Sequence, residues 1–506
     1  MVNSLVVFGQ ADSGVVNNKT LQALVQANGT LFSQKNDQAF SRFPTNSQKN
    51  MLAYSGSWML GMVNDKIYAN RNIDVSEPQV WPGPIDTVTR LPKDAIDWAK
   101  VWTINRSQVD EHKLRFKEAG YEVPDEIKQW PSSHDDDNVN AFLAPFIDWN
   151  KNGIYDPENG DYPSFLGDHA AYFIANDLYG ENVFPEANKL GVELQGLVYA
   201  FDAASLTNTL FVKLFLINRS ENDYEPFYFG QYVDYQLGND SDNYTSTDVN
   251  RRLVYGYNGD SDDEGPLGYG NKLPAAGCVF LSQSLESSCA FQNGEEHRGY
   301  PETESEMLSV MEGKWRSGTS KYASGMGLSG ASELETKFIY PKKTDANVQS
   351  ENWGDEGSGD DPGVRNGLGV IKFDNFKAGK YKQIDLAFVL TQSEKDVEEN
   401  LLTEVDAIHQ YYRSTLSVSE VVNNLHLDVY PNPFVVGKDR WLNMNALEAD
   451  LWDLNGKKVT RLVRHKTDDK KFEIPCNEKL VSGIYYIKAV TDIGILNRKV
   501  IVVSDR

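Results

Sequence analysis

The sequence has few cysteines and none of the spacings that cysteine chemistry requires. Only three occur in 506 residues, and no two of them form a Cys-x-x-Cys pair. This excludes a disulfide-built fold and gives no sign of a cysteine zinc site. Cys278 and Cys289 lie close enough in sequence to close one loop with a disulfide, or they are two inert buried thiols. Cys476 lies in a different region and is left over.

The sequence also lacks a long hydrophobic run and an excess of basic residues. No stretch reaches the roughly 18 apolar residues of a membrane-spanning helix. The 49 Lys and Arg are outnumbered by 73 Asp and Glu, which gives a formal charge of −24. A surface this acidic repels nucleic acid and anionic lipid, and it suits cations or neutral partners. We therefore expect no transmembrane span and no nucleic-acid partner.

Sequence signatures of catalysis are missing too. There is no His-Glu-x-x-His, no Gly-x-Ser-x-Gly, no P-loop and no dinucleotide fingerprint, and the seven histidines are scattered. A glycosidase needs two carboxylates that face each other across a cleft. With 73 Asp and Glu such a pair could be drawn almost anywhere, so their abundance indicates nothing. The sequence assigns no catalytic and no cofactor-binding residue, and it favours a non-enzymatic protein.

The N-terminal part of the sequence is mixed in character. Residues 1–10 contain a short apolar run that ends at Gly9, as at the tail of a signal peptide, although a basic segment before it is missing. We interpret residues 1–10 as a signal-peptide remnant, with a first strand as the alternative. Residues 11–195 are expected to form a mixed region that contains a calcium-type loop.

Residues 196–413 carry the strongest β signal, because alternating and β-branched runs are separated by clusters of turn residues. The expected strands lie near residues 209–218, 228–234, 252–257, 368–373 and 384–390. Long antiparallel strands with polar turns favour a sandwich.

A helix is predicted to close this region. Ser393 followed by Asp396 is typical of a capping box. Apolar residues then recur at helical spacing and form a stripe that we expect to dock on a sheet. The stripe consists of Val397, Leu401, Val405, Ile408 and Tyr412. Residues 414–428 are small and polar and are interpreted as a linker.

The composition changes after the linker. Residues 429–506 hold 14 Lys and Arg against 10 Asp and Glu, a net charge of +4, and this leaves −28 on the rest of the chain. A change of sign at a linker indicates a domain boundary. Short alternating segments follow, and Asn455-Gly456 is a strong hairpin-turn signal. The whole chain is therefore predicted to be mainly β: a large β-sandwich-rich body with a few helices, plus a small C-terminal Ig-like antiparallel β-sandwich.

Four segments within residues 429–506 share residues with a known domain family. They are residues 429–434, 451–457, 480–487 and 499–503. In order and spacing they resemble the type A sorting domain of the type IX secretion system of Bacteroidota; a generic Ig-like domain is the alternative. The resemblance implies export across the outer membrane, usually with removal of the domain and attachment to surface lipopolysaccharide, or release. The sorting-signal residues it assigns are Tyr430, Pro431, Asn432, Pro433, Asp453, Gly456, Gly483, Tyr485 and Lys499.

Residues 148–161 place oxygen-bearing side chains at alternate positions, as calcium loops do. Calcium takes about six to eight oxygen ligands, and a glycine permits the sharp turn that such a loop needs. The first three alternating residues are followed by Gly153, and Ile154 can offer its carbonyl oxygen. The predicted metal ligands are Asp148, Asn150, Asn152, Ile154, Asp156 and Asp161.

This loop departs from the EF-hand pattern at its end. Position twelve is Asn159 where an EF-hand has a bidentate glutamate, and Glu158 or Asp161 is expected to substitute. Because no clear helices flank the segment, we expect a calcium loop of another shape. The alternative is an Asn/Gly turn that binds nothing.

Other acidic clusters are interpreted first as solvated surface. They lie at residues 134–137, 239–242, 260–264, 355–356 and 360–361. An Asn- or Gly-Asp-Ser-Asp spacing occurs twice near strand ends, so one further cation site is an open alternative, which Asp234 could join.

Three functional classes follow from the sequence. The first is a calcium-stabilised, non-enzymatic surface protein for adhesion, structure or binding. The second is a secreted polysaccharide-active hydrolase or carbohydrate-binding protein, and the third is a subunit of a surface polymer. In each case the expected location is secreted, at the outer cell surface, and the expected partners are the type IX secretion machinery and surface lipopolysaccharide or carbohydrate.

Overall fold

Long alternating strands dominate the structure, as the sequence predicts. The computed structural model describes residues 13–34, 36, 38–132, 139, 143–150, 152, 154–328, 332–413, 434–436, 441–444, 446, 448–452, 458–466, 468, 470–475, 480, 482–491 and 494–504. Strands account for 38% and helices for 11%, which confirms the mainly β class. The chain divides into two units, Met1–Ser419 and Glu420–Arg506.

The first unit contains 21 of the strands in the described residues. In chain order they begin with Ser13–Asn17 (β1), Gln22–Gln26 (β2), Ser41–Arg42 (β3), Leu52–Val63 (β4), Lys66–Arg71 (β5), Trp81–Pro82 (β6) and Trp102–Asn105 (β7). Helices Arg106–Arg115 (α1) and Asp125–Lys128 (α2) come next. They are followed by Phe146–Ile147 (β8), Tyr162–Pro163 (β9), His169–Asn176 (β10), Val192–Ala200 (β11), Thr209–Asn218 (β12), Phe227–Tyr235 (β13) and Asn243–Asp248 (β14).

The second half of this unit adds seven strands and two helices. The elements are Leu253–Asn258 (β15), Leu273–Phe280 (β16), Ser287–Cys289 (β17), helix Glu304–Met311 (α3), Lys321–Tyr322 (β18), Glu335–Thr336 (β19), Asn366–Phe373 (β20), Tyr381–Ser393 (β21) and helix Val397–Tyr411 (α4). Two single-turn 3-10 helices lie at Pro157–Asn159 and Asp355–Gly357.

Two large antiparallel sheets make up most of the first unit. The nine-stranded sheet has the order β14-β15-β16-β21-β12-β11-β10-β6, and β7 also pairs with β10. The five-stranded sheet has the order β17-β20-β13-β4-β5. A three-stranded sheet, β1-β2-β3, and two short hairpins, β8-β9 and β18-β19, complete the pairing.

The main core lies between the two large sheets. Successive residues of a strand point to opposite faces of a sheet. Along β12, Leu210 and Leu214 accordingly join this core with Phe388 of β21 and Phe229 of β13, whereas Phe211 belongs to a second cluster on the other face. Two sheets that share one core form a β-sandwich, as predicted.

The outer face of the nine-stranded sheet is covered by helices. The predicted stripe of α4 is confirmed: its first four residues are buried and pack with Ala387 and Val389 of the sheet. The helix begins later than the sequence indicates, however. Asp396 is the N-cap, and its Oδ1 accepts the Glu399 N–H at 2.9 Å, while Ser393 ends β21. The cap is displaced because Ser393 still pairs with Leu273 in the sheet.

The outer face of the five-stranded sheet is covered by α3 and by the segments around it. Trp58 and Tyr232 of the sheet form a cluster there with Met307, Met311 and Trp315. Both sheets are therefore buried on both faces, which explains why their strands are richer in apolar residues than a strict alternation requires.

The structure has no division at residues 195/196, where the sequence analysis placed a boundary. Strand β11 runs through this point, and it pairs with β10 on one side and β12 on the other. Strand β4, from the mixed region, pairs with β13 of the β region. The two regions form one unit because their strands alternate within the same sheets.

The cysteines at 278 and 289 are buried and unbonded. Cys278 faces the core between the sheets, whereas Cys289 lies in the cluster on the outer face of the five-stranded sheet. A sheet therefore separates the two thiols, and the inert alternative holds. Cys476 lies outside the described residues. Within the described part of the chain, no helix is long and apolar enough to cross a membrane.

The second unit has its own two sheets and its own core. Its strands are Phe434–Val436 (β22), Leu442–Asn443 (β23), Glu448–Trp452 (β24), Lys458–Arg461 (β25), Val463–Arg464 (β26), Lys471–Glu473 (β27), Gly483–Thr491 (β28) and Gly494–Ser504 (β29). The sheets have the orders β22-β29-β28-β24-β25 and β23-β27-β26. Leu442 and Phe472 of one sheet pack with Leu451, Ile487 and Val500 of the other.

One feature of this unit corrects the predicted antiparallel arrangement. Strand β22 pairs with β29 in parallel, with Phe434 opposite Val502. The other pairs in the described part of the unit are antiparallel. Parallel neighbours need a long connection between them, and here most of the unit lies between β22 and β29.

The docking of α4 can be tested by truncating its most buried leucine. We expect Leu401→Ala to lower the free energy of unfolding of the first unit by about 2–5 kcal/mol, because it leaves a cavity against the sheet. Gln410→Ala, on the exposed face of the same helix, is the control and should change it by less than about 0.5 kcal/mol. Urea denaturation followed by tryptophan fluorescence measures both, and equal effects would contradict the packing described.

Candidate functional site

A short hairpin holds the predicted calcium loop. Strands β8 and β9 pair antiparallel, with Ile147 opposite Tyr162. Asp148 directly follows the first strand and Asp161 directly precedes the second, so the two ends of the loop meet at the hairpin. The segment between them contains the 3-10 turn Pro157–Asn159, and strands rather than helices flank it.

Asp161 closes this loop from beneath. Its side chain is fully buried, Oδ1 accepts the Trp149 N–H at 2.7 Å and Oδ2 accepts the Asp156 N–H at 2.9 Å. Burial raises the pKa of Asp161 to about 6, although these backbone donors oppose the rise. Asp161 therefore lies inside the loop and not on the exposed surface of the loop. Both of its carboxylate oxygens accept backbone hydrogen bonds, and we call this arrangement a brace.

Asp156 is the centre of the loop. Its carboxylate accepts hydrogen bonds from the side-chain amides of Asn150 at 2.9 Å, Asn152 at 2.9 Å and Asn159 at 2.8 Å. Burial acts to raise the pKa of Asp156, but these hydrogen bonds outweigh it and the pKa is lowered. Three amides and one carboxylate therefore converge. Sequence reasoning assigned no ligand role to Asn159, and only its place in the register of the loop could have suggested one.

The remaining predicted residues take different places. Asp148 Oδ1 accepts the Asn152 N–H at 3.2 Å, which keeps it within the loop. Ile154 has an exposed side chain, and its N–H donates to Asn152 Oδ1 at 2.8 Å. Glu158, considered as a substitute ligand, instead pairs with Lys128 at 3.3 Å between Nζ and Oε1.

The sorting-signal residues fall partly outside the described residues. This applies to Tyr430, Pro431, Asn432, Pro433, Asp453 and Gly456. Gly483 and Tyr485 lie on β28 and Lys499 on the adjacent β29, where Lys499 is opposite Tyr486. Tyr485 is buried in the core of the second unit.

The acidic clusters separate into three groups. Asp242, Asp260 and Glu264 come together, with one oxygen of each within 4.8 Å of the others. Asp355 and Asp360 instead line a cleft, together with Asp234 and Asp361. The cluster at 134–137 lies outside the described residues.

The cleft has a volume of about 640 Å³ and lies beside the end of β13. Residues from β13, β14, β20 and three connecting segments line it, so no sequence motif indicates it. Arg298 is buried in its wall and donates to Glu295 Oε2 at 2.6 Å and to Asp360. Tyr300 stacks on Phe291, with 4.9 Å between ring centroids.

Two of the carboxylates that line the cleft already have arginine partners. Asp355 Oδ2 accepts the Arg365 Nε–H at 2.7 Å and the Thr245 N–H at 2.9 Å. Burial raises the pKa of Asp355, and Arg365 opposes the rise. Since Asp360 is bound by Arg298 in the same way, the cleft offers a polar, hydrogen-bonding surface in which these two acids hold arginines.

No protein-family model matches the sequence, and no curated protein matches it. Solved structures that share a weak likeness with it include a polysaccharide lyase and a domain of a biofilm-associated protein. The polysaccharide lyase has 10% identity and a TM-score of 0.20 over 62% of this chain and 34% of that one. The BSP domain of the biofilm-associated protein has 11% identity and a TM-score of 0.15 over 59% of this chain and 60% of that one. The chain spans less than two thirds of either, and TM-scores this low carry no argument.

The opposite pKa shifts of Asp161 and Asp86 predict opposite pH dependences of stability in the absence of divalent cations. The folded pKa of Asp161 lies above its ordinary value of 3.8. The stability of the wild type relative to Asp161→Asn should therefore fall as the pH rises from 4 to about 6. Asp86, whose pKa is lowered by its hydrogen bond from Lys93, should give the opposite trend for Asp86→Asn, with stability lost as the pH falls below about 4. Chemical denaturation across pH 3–7 measures both, and parallel trends would contradict the assignment.

Proposed function

We propose that this chain is a non-enzymatic binding protein of the bacterial surface, exported by the type IX secretion system through residues 429–506 and stabilised by calcium at residues 148–161. The observation that carries the proposal is that the segment with the sorting-domain resemblance coincides with a separate unit. That unit has its own core of residues from two sheets, and its net charge is opposite to that of the rest.

The independent core of the second unit supports its proposed role as a sorting domain, for a physical reason. A sorting domain has to fold and be read independently of the cargo it accompanies, so it needs a core that its own strands can bury. The second unit meets this need, because its strands β22, β24, β28 and β29 pair with one another. The cargo is then the acidic first unit.

The geometry at Asp156 supports calcium in the loop. The side-chain oxygens of Asn150 and Asn152 each accept a backbone N–H of the loop and keep a second lone pair for an ion, and rotation of the Asn159 amide by half a turn would present its oxygen to the ion as well. With Asp148 and the Ile154 carbonyl, this supplies the oxygen-only ligand set that calcium prefers. Asp161 would hold the two ends of the loop together beneath the ion.

The cleft supports binding rather than hydrolysis. A glycosidase needs an acid and a base or nucleophile whose carboxyl groups face the substrate. Asp355 and Asp360, two of the four aspartates that line the cleft, are each held by an arginine. We place the ligand, a polar molecule such as a carbohydrate, in this cleft.

Export can be tested in a type IX-competent Bacteroidota host. We expect the full chain, preceded by a signal peptide, to reach the cell surface, and a chain that ends at Asn424 to remain in the periplasm. A host without the outer-membrane translocon is the control and should retain both proteins. Surface proteolysis and fractionation measure the distribution, and delivery of the truncated chain to the surface would refute the sorting role.

Calcium binding at the loop can be tested by thermal unfolding with and without chelator. Calcium at a hundredfold excess over its dissociation constant stabilises a protein by about 2.7 kcal/mol. We expect Asp156→Asn to remove most of the contribution of this loop, because the variant loses the central carboxylate. Asp125→Asn, an exposed carboxylate of α2, is the control and should keep the full calcium response. An unchanged response in Asp156→Asn would contradict calcium at this loop.

A further inference from the structure

A second group of carboxylates meets at the edge of the nine-stranded sheet. Strands β14 and β15 are antiparallel, with Asn243 opposite Asn258, so the loop before β14 and the loop after β15 leave the sheet side by side. The Gly259 N–H donates to the Asp242 carbonyl at 2.8 Å and links them. This arrangement brings oxygens of Asp242, Asp260 and Glu264 within 4.8 Å of one another.

Asp242 is the unusual member of this group. Only 8% of the residue is exposed, and neither of its carboxylate oxygens accepts a hydrogen bond from any described residue. The amide of Asn258 is near enough to lower the pKa of Asp242 but lies outside hydrogen-bond geometry, and burial outweighs it, so the pKa rises to about 6. A buried carboxylate without a partner is unfavourable unless a positive charge compensates it.

The surrounding loop is fixed by a brace of its own. Asp263 is buried, its Oδ1 accepts the Asn239 N–H at 2.7 Å and its Oδ2 accepts the Tyr269 N–H at 2.7 Å. Gly238, at φ 71°, allows this, because a Cβ there would lie 2.0 Å from Asp263 Oδ2. The backbone of the loops that carry the carboxylate cluster is therefore held by protein contacts, before any ligand is considered.

Within the described part of the chain, no lysine or arginine pairs with the carboxylates of the cluster. Among the described residues, Asp242, Asp260 and Glu264 take part in no salt bridge, while further buried oxygens without partners, Asp240 Oδ1 and Asn243 Oδ1, lie in the same segment. Three converging carboxylates with no sulfur or imidazole among them form a ligand set for a hard divalent cation. Ligands from two irregular loops suit the variable coordination of calcium better than the strict octahedron of magnesium.

We propose that Asp242, Asp260 and Glu264 bind a divalent cation, calcium by preference, and that this ion joins the loops before β14 and after β15. The site is separate from residues 148–161 and does not depend on export. The Asn243 carbonyl accepts the Gly363 N–H at 3.1 Å, so the ion would also order the rim of the cleft, which Gly363 lines.

Calcium titration of the full chain by calorimetry tests this site. We expect Asp242→Asn to bind one calcium fewer than the wild type, and Glu264→Gln, an exposed change that leaves the fold intact, to weaken one site by about tenfold or more. Asp262→Asn is the matched control: it lies in the same loop and is exposed, but it is not a member of the cluster, and its isotherm should match that of the wild type.

A second readout separates a binding site from a solvated acidic patch. In chelator, Asp242→Asn should melt at a higher temperature than the wild type, because it removes an uncompensated buried charge, and calcium should reverse this order. Isotherms of Asp242→Asn and Glu264→Gln that both match the wild type would overturn the proposal, whatever the outcome for export or for the loop at Asp156.

Discussion

Burial of both faces of both large sheets is the constraint on which the first unit depends. Strands such as β12 and β21 present apolar residues to the core between the sheets and also to the outside. The hydrophobic effect therefore demands two further layers. Helix α4 with α1 and α2 supplies one, and α3 with the segments around it supplies the other. Because strands from both ends of the unit alternate within the sheets, these layers belong to one body.

The polar loops outside these layers, at residues 148–161 and around Asp263, are held together in the same way. In each loop, a buried aspartate accepts hydrogen bonds from two backbone N–H groups and so connects two segments that are not paired as strands. Asp161 does this below residues 148–156, and Asp263 does it for Asn239 and Tyr269. In both places other oxygen-bearing side chains gather above the brace, at Asp156 and at Asp242. A cation can bind the oxygens that gather in such a loop and stabilise the loop without a change in the fold.

The same loops connect to the cleft. The Asn243 carbonyl holds Gly363 at the cleft rim, and Asp355 in the cleft wall accepts the Thr245 N–H of β14. The edge strand β14 thus connects the carboxylate cluster to the cleft. The conformation of the loops before β14 and after β15 therefore affects the shape of the cleft. We therefore expect the ligand binding proposed for the cleft and the cation binding proposed for the cluster to be coupled.

The local pattern of the sequence by itself determined several strands, one helix and the position of the division between the two units. Alternation located β12 and β13, helical spacing located the buried face of α4, and the change of charge and composition after residue 413 fell near the division at Ser419/Glu420. These features depend on neighbours in sequence, which the sequence displays directly. The tertiary structure alone decided which strands pair across long separations, as β4 does with β13, and hence that no boundary exists at 195/196. It also decided that Asp161 lies beneath its loop, that Glu158 turns to Lys128, and that Asp242 is buried, because burial and partner choice arise only when distant segments pack together.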